Sequence, residues 1–219
     1  MNARSVTAFT AGVTTTTAVA AFILRMRTER LRSGFERDEL TGLLNRKGWE
    51  QQLARRSTMQ KQNVVLIADC NGLKCVNDTF GHAAGDRLIT AAGHALAAAL
   101  GDGAIVARLG GDEFAALCGP AALDRLRVCG PLTVETPSTT AAGARSRLAV
   151  GASAITGGMA EAMHRADAAM YRNKLDQDAA FALFDPIADD TGLADRRPEA
   201  RVRDLSSIDP VRELETVHG

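Results

Sequence analysis

The sequence predicts an α+β domain in which helices pack on a central, mostly antiparallel sheet. Residues 63–68 form a short run rich in β-branched side chains, which is typical of a buried strand. Residues 104–109 and 114–118 are two further strand-like runs, and a glycine-led turn separates them. Helical periodicity begins at Asp86 and returns over residues 159–174.

The predicted helices are identified by their apolar faces. The helix that begins at Asp86 places five apolar residues on one face: Leu88, Ile89, Ala92, Leu96 and Leu100. The apolar side of the helix at 159–174 carries Met159, Met163, Ala166 and Met170. A methionine stripe of this kind indicates core packing and not a cofactor site. Residues 147–152 predict another strand, whereas 119–146, rich in Ala, Thr and Pro, predict an irregular segment with one short helix.

Length and composition limit the number of domains and the classes of partner. A chain of 219 residues has room for one ordinary domain with flanking segments, and its 46% hydrophobic residues can supply a core. Basic and acidic residues balance at 26 each and aromatic residues reach only 4%, so nucleic acid is not an expected partner. The four cysteines lack CxxC spacing, which favours reduced, mostly buried thiols over a zinc site.

Two segments flank the predicted globular domain at residues 35–184. Residues 1–34 predict a helix, and 5–24 within it carry no charge over a length of about 30 Å, the thickness of a bilayer core. Threonines make that stretch only mildly apolar, so a membrane anchor and a loosely ordered soluble helix are both compatible with it. Arginines follow it, an arrangement that would keep the domain cytoplasmic, at the inner face of the cell membrane. Residues 185–219 are polar and predict a mostly disordered tail.

Acidic residues stand at the end of one predicted strand and in the turn between two others. Asp69 ends the first strand, while Gly110, Gly111, Asp112 and Glu113 form what we call the glycine-acid turn. If the two elements are neighbours in the sheet, three carboxylates converge at one edge. A divalent cation would neutralise such a group, and oxygen-only ligands favour Mg²⁺ or Mn²⁺. The two glycines let a phosphate approach the backbone, so the pattern indicates phosphoryl or nucleotidyl transfer.

Four blocks of sequence, in order, resemble the GGDEF domain family. Residues 108–114 read RLGGDEF and resemble the family signature. Residues 38–46 read DELTGLLNR and resemble its opening DxLTGLxNR stretch. Residues 69–86 read DCNGLKCVNDTFGHAAGD and resemble DxDxFKxxNDxxGHxxGD. Residues 166–174 read ADAAMYRNK and resemble the closing ADxAMYxAK helix. The resemblance implies the nucleotidyl-cyclase, palm-like version of the α+β fold.

The resemblance implies a diguanylate cyclase, an enzyme that condenses two GTP molecules into cyclic di-GMP with release of pyrophosphate. Two metal ions, Mg²⁺ or Mn²⁺, are expected beside the triphosphate. By similarity, Asp69 and Asp112 are the side-chain ligands, and the backbone carbonyl of Cys70 assists them. Glu113 is expected to act as base or as a further ligand in activating the ribose 3′-hydroxyl.

The same similarity identifies the residues expected to bind substrate. Asn77 and Asp86 would bind the guanine edge, and Lys74 and Lys174 would contact the phosphates. A carboxylate at position 86 can accept hydrogen bonds from N1–H and the exocyclic amine of guanine, a pattern that adenine lacks, so GTP is expected over ATP. Asp38 is expected to brace the first helix.

The resemblance also implies a partner, because one such domain carries one GTP. Two domains must therefore face each other, and activity is expected from a two-fold homodimer. The main alternative is a catalytically silent GTP-binding regulatory domain, and a third is a membrane-linked interaction protein. The acids at positions 69, 112 and 113 argue against the silent domain. Asn77 and Asp86 argue against the interaction protein.

The chain departs from the family pattern at several positions. Asn71 replaces the second Asp of DxD and Leu73 replaces the usual Phe, and both are mild changes. The Arg that commonly follows the last helix is missing after Lys174, which is expected to weaken phosphate binding. Residues 101–104 stand where many relatives carry an RxxD motif, so feedback by cyclic di-GMP at that position is not expected.

Overall fold

The computed structural model describes residues 36–56, 64–136, 144–176 and 178–189. Every helix and strand in these ranges belongs to the unit that begins at Asp38. The helix predicted at 1–34 lies outside the described residues. Within them, no helix is both long and apolar enough to span a bilayer.

Six helices and six strands are formed by the described residues. The helices are α1 (Arg46–Arg56), α2 (Leu73–Phe80), α3 (His82–Leu100), α4 (Pro120–Cys129), α5 (Met159–Leu175) and α6 (Pro186–Asp189). The strands are β1 (Val64–Cys70), β2 (Ile105–Gly110), β3 (Glu113–Cys118), β4 (Thr133–Thr136), β5 (Ala144–Ala154) and β6 (Ala182–Leu183).

The strands form one mixed sheet in the order β2-β3-β1-β5-β4, and β6 pairs with β5. All pairings along this order are antiparallel, and only the short β5–β6 pairing is parallel. The predicted α+β class, with helices on a mostly antiparallel sheet, is therefore confirmed. Strand β1 lies in the centre, and each of its residues is buried because helices cover both faces of the sheet.

The two faces of β1 contribute to two separate apolar clusters. Val64, Leu66 and Ala68 pack with residues of α3 and α4. Val65 and Ile67 pack on the other face with residues of α1 and α5. Because side chains alternate along a strand, Asp69 belongs to the α5 side of the sheet.

Helix α5 packs on β5 with its backbone. A Cβ atom added at Gly151 would lie 2.0 Å from the carbonyl oxygen of Ala166 and 2.1 Å from the amide nitrogen of Met170. Backbone atoms cannot yield as the end of a flexible side chain can, so only glycine permits this approach. The contact fixes the height of α5 above the sheet.

The structure corrects three predictions about elements. Helix α3 begins at His82 and not at Asp86, because Gly81 (φ 79°) turns the chain between α2 and α3. The segment 119–146 is not irregular throughout: Pro120 opens a ten-residue helix whose buried apolar residues join the core, and β4 pairs with β5. In the predicted tail at 185–219, Pro186–Asp189 form α6, in which Asp189 is buried in an ion pair with Arg172 of α5.

The cysteines also differ in part from their prediction. All four are free, and Cys70 and Cys118 are buried, but Cys75 and Cys129 are exposed. The two exposed residues lie on α2 and α4, on faces that the sheet does not cover.

Candidate active site

The end of β1 and the glycine-acid turn meet at one end of the sheet. Strands β1 and β3 pair in a register that sets Asp69 directly opposite Glu113. One residue further, the amide nitrogen of Cys70 donates to the carbonyl oxygen of Asp112 at 3.2 Å. Residues opposite each other in an antiparallel pair share a face, so Asp69 and Glu113 both belong to the α5 side. The sheet therefore brings together the strand end and the turn that the sequence singles out.

Asp69 forms an ion pair with Lys174. The carboxylate is buried, with a relative exposure of 3%, and its Oδ1 lies 3.0 Å from Nζ of Lys174. Lys174 lies in the last turn of α5 and retains about a quarter of its side-chain exposure. The sequence predicts a phosphate contact for Lys174, but did not suggest this pairing with the metal-ligand candidate.

The end of α5 is held on β5 by a buried amide that the sequence analysis missed. Asn173 is fully buried, and its Oδ1 accepts from the amide nitrogen of Val150 at 2.9 Å and from Nη2 of Arg147 at 3.2 Å. Its Nδ2 donates to the carbonyl oxygen of Ala179 at 3.1 Å. The signal was in the spacing, since position 173 continues the period of the apolar residues at 163, 166 and 170.

Arg147 is the second anchor of this region that the sequence analysis missed. Its guanidinium donates to the carbonyl oxygens of Asn173, Asp176 and Ala179, at 3.0, 3.0 and 2.6 Å. These acceptors lie at and beyond the end of α5, where helix carbonyls lack intrahelical partners. A strand residue thus satisfies the helix terminus next to Lys174.

The glycine-acid turn has an open backbone. Gly110 (φ 152°) and Gly111 (φ 54°) are both exposed, and a Cβ atom added at either would meet no atom within 4 Å. Arg108 holds the turn in place, since its Nε and Nη2 donate to the carbonyl oxygen of Gly111 at 2.9 and 2.8 Å. The turn therefore combines a fixed position with an exposed backbone that carries no side chain at two successive positions.

Asp38 braces this turn and not the first helix, contrary to its predicted role. Nη1 of Arg108 donates to both carboxylate oxygens of Asp38 at 3.1 Å. The amide and hydroxyl groups of Thr41 donate to Oδ1 of the same carboxylate at 2.9 and 2.8 Å. The segment that precedes α1 is thereby tied to the glycine-acid turn.

The thiol of Cys70 lies on the opposite face of β1 from Asp69, among the apolar residues on the α3 side. Burial raises the pKa of this thiol to about 11, and the negative charges of Asp112 and Asp69 act in the same direction. The thiol is therefore protonated at neutral pH. Its Sγ lies 3.3 Å from Oγ of Ser146, whose hydroxyl donates to the carbonyl oxygen of Asn71 at 2.6 Å.

The residues predicted to bind guanine lie on α2 and α3. Asn77 is half-buried, and a Cβ atom added at Gly85 would lie 2.0 Å from its Oδ1, so the amide packs directly on the backbone of α3. Asp86 follows Gly85 and is exposed. Lys74 is exposed in the first turn of α2. The structure thus brings Asn77 beside the residue that precedes Asp86.

The donor chemistry of this region suits a hard divalent cation. Asp69, Asp112 and Glu113 supply carboxylate oxygens and Cys70 a backbone carbonyl, which are the ligand types that Mg²⁺ and Mn²⁺ prefer. Yet in the described ranges no three His, Cys, Asp or Glu side chains are grouped closely enough to hold a metal ion. The cation beside Asp69 in this structure is the ammonium group of Lys174. The predicted pair of metal ions therefore stays a prediction.

The chain is similar to known proteins of one family. A family model described as "Diguanylate cyclase, GGDEF domain" matches residues 35–179, about two thirds of the chain. The chain is 40% identical over 77 residues to the cyclic di-GMP phosphodiesterase PdeB of Shewanella oneidensis. The aligned region covers 35% of this chain and 9% of PdeB. The chain is also 41% identical over 97 residues to the diguanylate cyclase TpbB of Pseudomonas aeruginosa. This alignment covers 42% of this chain and 22% of TpbB.

A solved structure agrees with these sequence matches. The coiled coil and GGDEF domain of DgcB from Caulobacter crescentus, in complex with c-di-GMP, superposes with a TM-score of 0.62 and 25% identity. The match covers 80% of this chain and 98% of that one. The chain spans only part of the curated relatives to which it is similar, between 9% and 47% of their length. The family model matches well over half of the sequence, and the chain belongs to the diguanylate cyclase GGDEF domain family.

Proposed function

We propose that the chain is a diguanylate cyclase that condenses two GTP molecules into cyclic di-GMP. The observation that carries the proposal is the pairing at the end of β1, where Asp69 lies opposite Glu113 and Cys70 bonds the backbone of Asp112. This pairing supports an acidic centre beside an open glycine turn, as metal-assisted nucleotidyl transfer requires. Membership of the family supports the same reaction class.

The reaction joins two nucleotides through two equivalent steps. In each step the ribose 3′-oxygen of one GTP attacks the α-phosphorus of the other, and the bond between the α-phosphorus and the bridging oxygen breaks. Two phosphodiester bonds form, two pyrophosphates leave, and each hydroxyl loses its proton. Bound Mg²⁺ or Mn²⁺ would lower the pKa of that hydroxyl and stabilise charge on the α-phosphate.

The chain's own groups have distinct roles in this proposal. Asp69, Asp112 and the carbonyl oxygen of Cys70 would hold the metal ions, and Glu113 would take the proton or complete the ligand set. The backbone of Gly110 and Gly111 would lie against the phosphates, since it is exposed and the space at both Cβ positions is open.

Base recognition is assigned to α2 and α3. Asn77 and Asp86 would bind the guanine edge, and Lys74 and Lys174 would contact the phosphates. The packing of Asn77 on Gly85 supports this assignment, because it holds the amide against the turn of α3 in which Asp86 lies. That carboxylate matches the two donors of guanine and repels the acceptor that adenine offers at N1.

The proposed catalytic unit is a two-fold homodimer, because each domain presents one acidic centre and the product needs two attacks. Tethering of the domain to the inner face of the cell membrane by residues 5–24 stays a prediction.

Turnover by the full chain tests the proposal. The purified protein is incubated with GTP and Mg²⁺ or Mn²⁺, and cyclic di-GMP is quantified by mass spectrometry. Asp112→Ala and Glu113→Gln are each expected to lower the rate at least about 10²-fold, because each removes a group that acts on the reacting atoms. Asp124→Asn is the matched control, since it removes an exposed carboxylate on α4.

The outcomes separate the cyclase from its main alternative. Formation of cyclic di-GMP that is lost in the two variants and kept in Asp124→Asn supports the cyclase. Tight GTP binding without product, at protein concentrations that allow dimerisation, would instead identify a silent regulatory domain.

A further inference from the structure

The ion pair between Lys174 and Asp69 joins two groups to which the proposed function gives different ligands. Asp69 is assigned to a metal ion and Lys174 to a phosphate, but here the Nζ and Oδ1 atoms lie 3.0 Å apart. The carboxylate is almost completely buried, whereas the lysine remains partly in contact with solvent. Asp69 thus lies on the buried side of the contact, and Lys174 lies on the solvent side.

A buried carboxylate needs a nearby cation. Removal of one partner from a buried ion pair leaves an uncompensated charge, which is strongly unfavourable. A divalent cation bound to the same carboxylate and the ammonium group repel each other, so each lowers the affinity of Asp69 for the other. Lys174 and a metal ion are therefore competitors for Asp69.

The position of α5 on the sheet keeps Lys174 within reach of Asp69. The helix backbone rests on Gly151 without an intervening side chain. Asn173, the residue before Lys174, is hydrogen-bonded to the amide of Val150. Because β1 pairs with β5 and sets Asp69 opposite Ala149, the last turn of α5 lies above the acid. The lysine stem can move, while the contacts of Asn173 and Gly151 hold its attachment point on β5.

We propose that Lys174 is the resident counter-ion of Asp69, and that a divalent cation displaces it during substrate binding. This inference rests on the proposed function and adds an order to it. Displacement frees the ammonium group at the place where the triphosphate enters. The lysine then neutralises phosphate charge instead of carboxylate charge.

This exchange couples the metal ion to the nucleotide. Without nucleotide, a metal ion must displace the lysine into solvent, so its affinity is reduced. With nucleotide, the displaced lysine gains a phosphate partner, so each ligand increases the affinity of the other. A coupling of this kind keeps Asp69 neutralised at every stage and weakens the binding of metal ions to the site without nucleotide.

Titration of Mn²⁺ in the absence of nucleotide tests the exchange, with free Mn²⁺ measured by its electron paramagnetic resonance signal. In the 219-residue chain, Lys174→Met is expected to lower the Kd for Mn²⁺ about tenfold, which is a typical coupling between two sites. The same variant is expected to weaken GTP binding. Lys47→Met is the matched control, because it removes the same charge from an exposed position on α1 and should leave both affinities unchanged.

A second variant separates local competition from a general charge effect. Asp69→Asn removes the shared oxygen charge, so Lys174→Met should give no gain in Mn²⁺ affinity when it is added to Asp69→Asn. Lys174→Arg keeps the charge and should bind Mn²⁺ as the wild type does. If Lys174→Met is poorly folded, thermal unfolding replaces the titration, and Mn²⁺ should raise its Tm more than it raises that of the wild type.

The contrary results are distinct from a failure of the proposed function. An unchanged or higher Kd for Mn²⁺ in Lys174→Met, while the wild type still makes cyclic di-GMP, overturns the exchange alone. A gain that persists in the Asp69→Asn background also overturns it. Absence of Mn²⁺ binding in all variants, even with GTP present, overturns the proposed function together with the exchange.

Discussion

Arg108 binds Gly111 and Asp38 at the same time. Two of its nitrogens donate to the carbonyl oxygen of Gly111, and Nη1 donates to both carboxylate oxygens of Asp38. The carboxylate also accepts from the backbone and side chain of Thr41. One guanidinium thus fixes the glycine-acid turn relative to the segment that leads into α1.

Asp38→Asn is expected to destabilise the domain by about 1–3 kcal/mol at neutral pH, because it removes the charge from a mostly buried, charge-assisted pair. The loss should depend on pH. Burial raises the pKa of Asp38, but the hydrogen bonds from Thr41 and Arg108 and the charge of Arg108 outweigh burial and hold the pKa below its ordinary value. A group with a lowered folded pKa stabilises the protein above its unfolded pKa.

The difference between wild type and Asp38→Asn should therefore be complete at pH 6 and shrink as the pH falls below about 4. Urea unfolding of both proteins between pH 3 and 7 measures it. A difference that stays constant over this range would show that the carboxylate charge makes no contribution.

Gly85→Ala is expected to weaken GTP binding about tenfold while the domain remains folded. The new Cβ atom would lie 2.0 Å from Oδ1 of Asn77, so the amide must rotate away from its present position. Alanine gains up to about 1 kcal/mol over glycine in a helix, which offsets part of the steric cost.

A double-mutant cycle with Asn77→Ala checks the cause. Isothermal titration with GTP should show that Gly85→Ala costs little once the amide is absent. Full additivity of the two losses would exclude displacement of Asn77 as the reason.

Gly151→Ala is expected to destabilise the domain by about 3 kcal/mol or more, because its Cβ atom would overlap backbone atoms of α5. Gly119→Ala is a suitable control, since a Cβ atom there meets nothing within 4 Å and the backbone (φ −81°) accepts any residue. Thermal unfolding should give a much lower Tm for the first variant and a nearly unchanged Tm for the second. Equal values would mean that α5 can lift from the sheet at little cost.

The contact between Arg172 and Asp189 defines a further prediction. Nε of Arg172 donates to Oδ1 of Asp189 at 2.8 Å, and the carboxylate is fully buried. Asp189→Asn is expected to lower stability by about 2 kcal/mol, because the substitution weakens two charge-assisted hydrogen bonds.

Truncation gives an independent measure of the same contact. A chain that ends at residue 184 should unfold at lower urea concentration than one that ends at residue 189. Identical midpoints would return the domain boundary to the position that the sequence predicts.

The sequence was most informative where a pattern of residues has a single physical explanation. The β-branched run of β1 and the periodic faces of α3 and α5 gave the fold class, since burial alone explains them. The acid at 69 was noticed because it ends an apolar strand, and the acid at 113 because it lies in a glycine-led turn. Their roles followed from the resemblance to the family. Their exact register, with Asp69 opposite Glu113, required the sheet.

Other features could not be inferred because they depend on long-range geometry. The partners of Arg147 and Lys174 could not be inferred, because neither residue interrupts the pattern of its strand or helix. Arg147 donates to Asn173, 26 residues away, and Lys174 pairs with Asp69 on another strand. Strand β4 was missed because four residues with two threonines resemble a loop until β5 pairs with them. Position 189 was assigned to a tail because its burial depends on Arg172.

Three groups of the proposed centre are located at the ends of elements. Asp69 is the penultimate residue of β1, Glu113 is the first residue of β3, and Lys174 is the penultimate residue of α5. Ends of helices and strands open at lower free energy than their middles. The site can therefore exchange amide hydrogens with solvent, and admit a ligand, while the central residues of β1 remain fully protected.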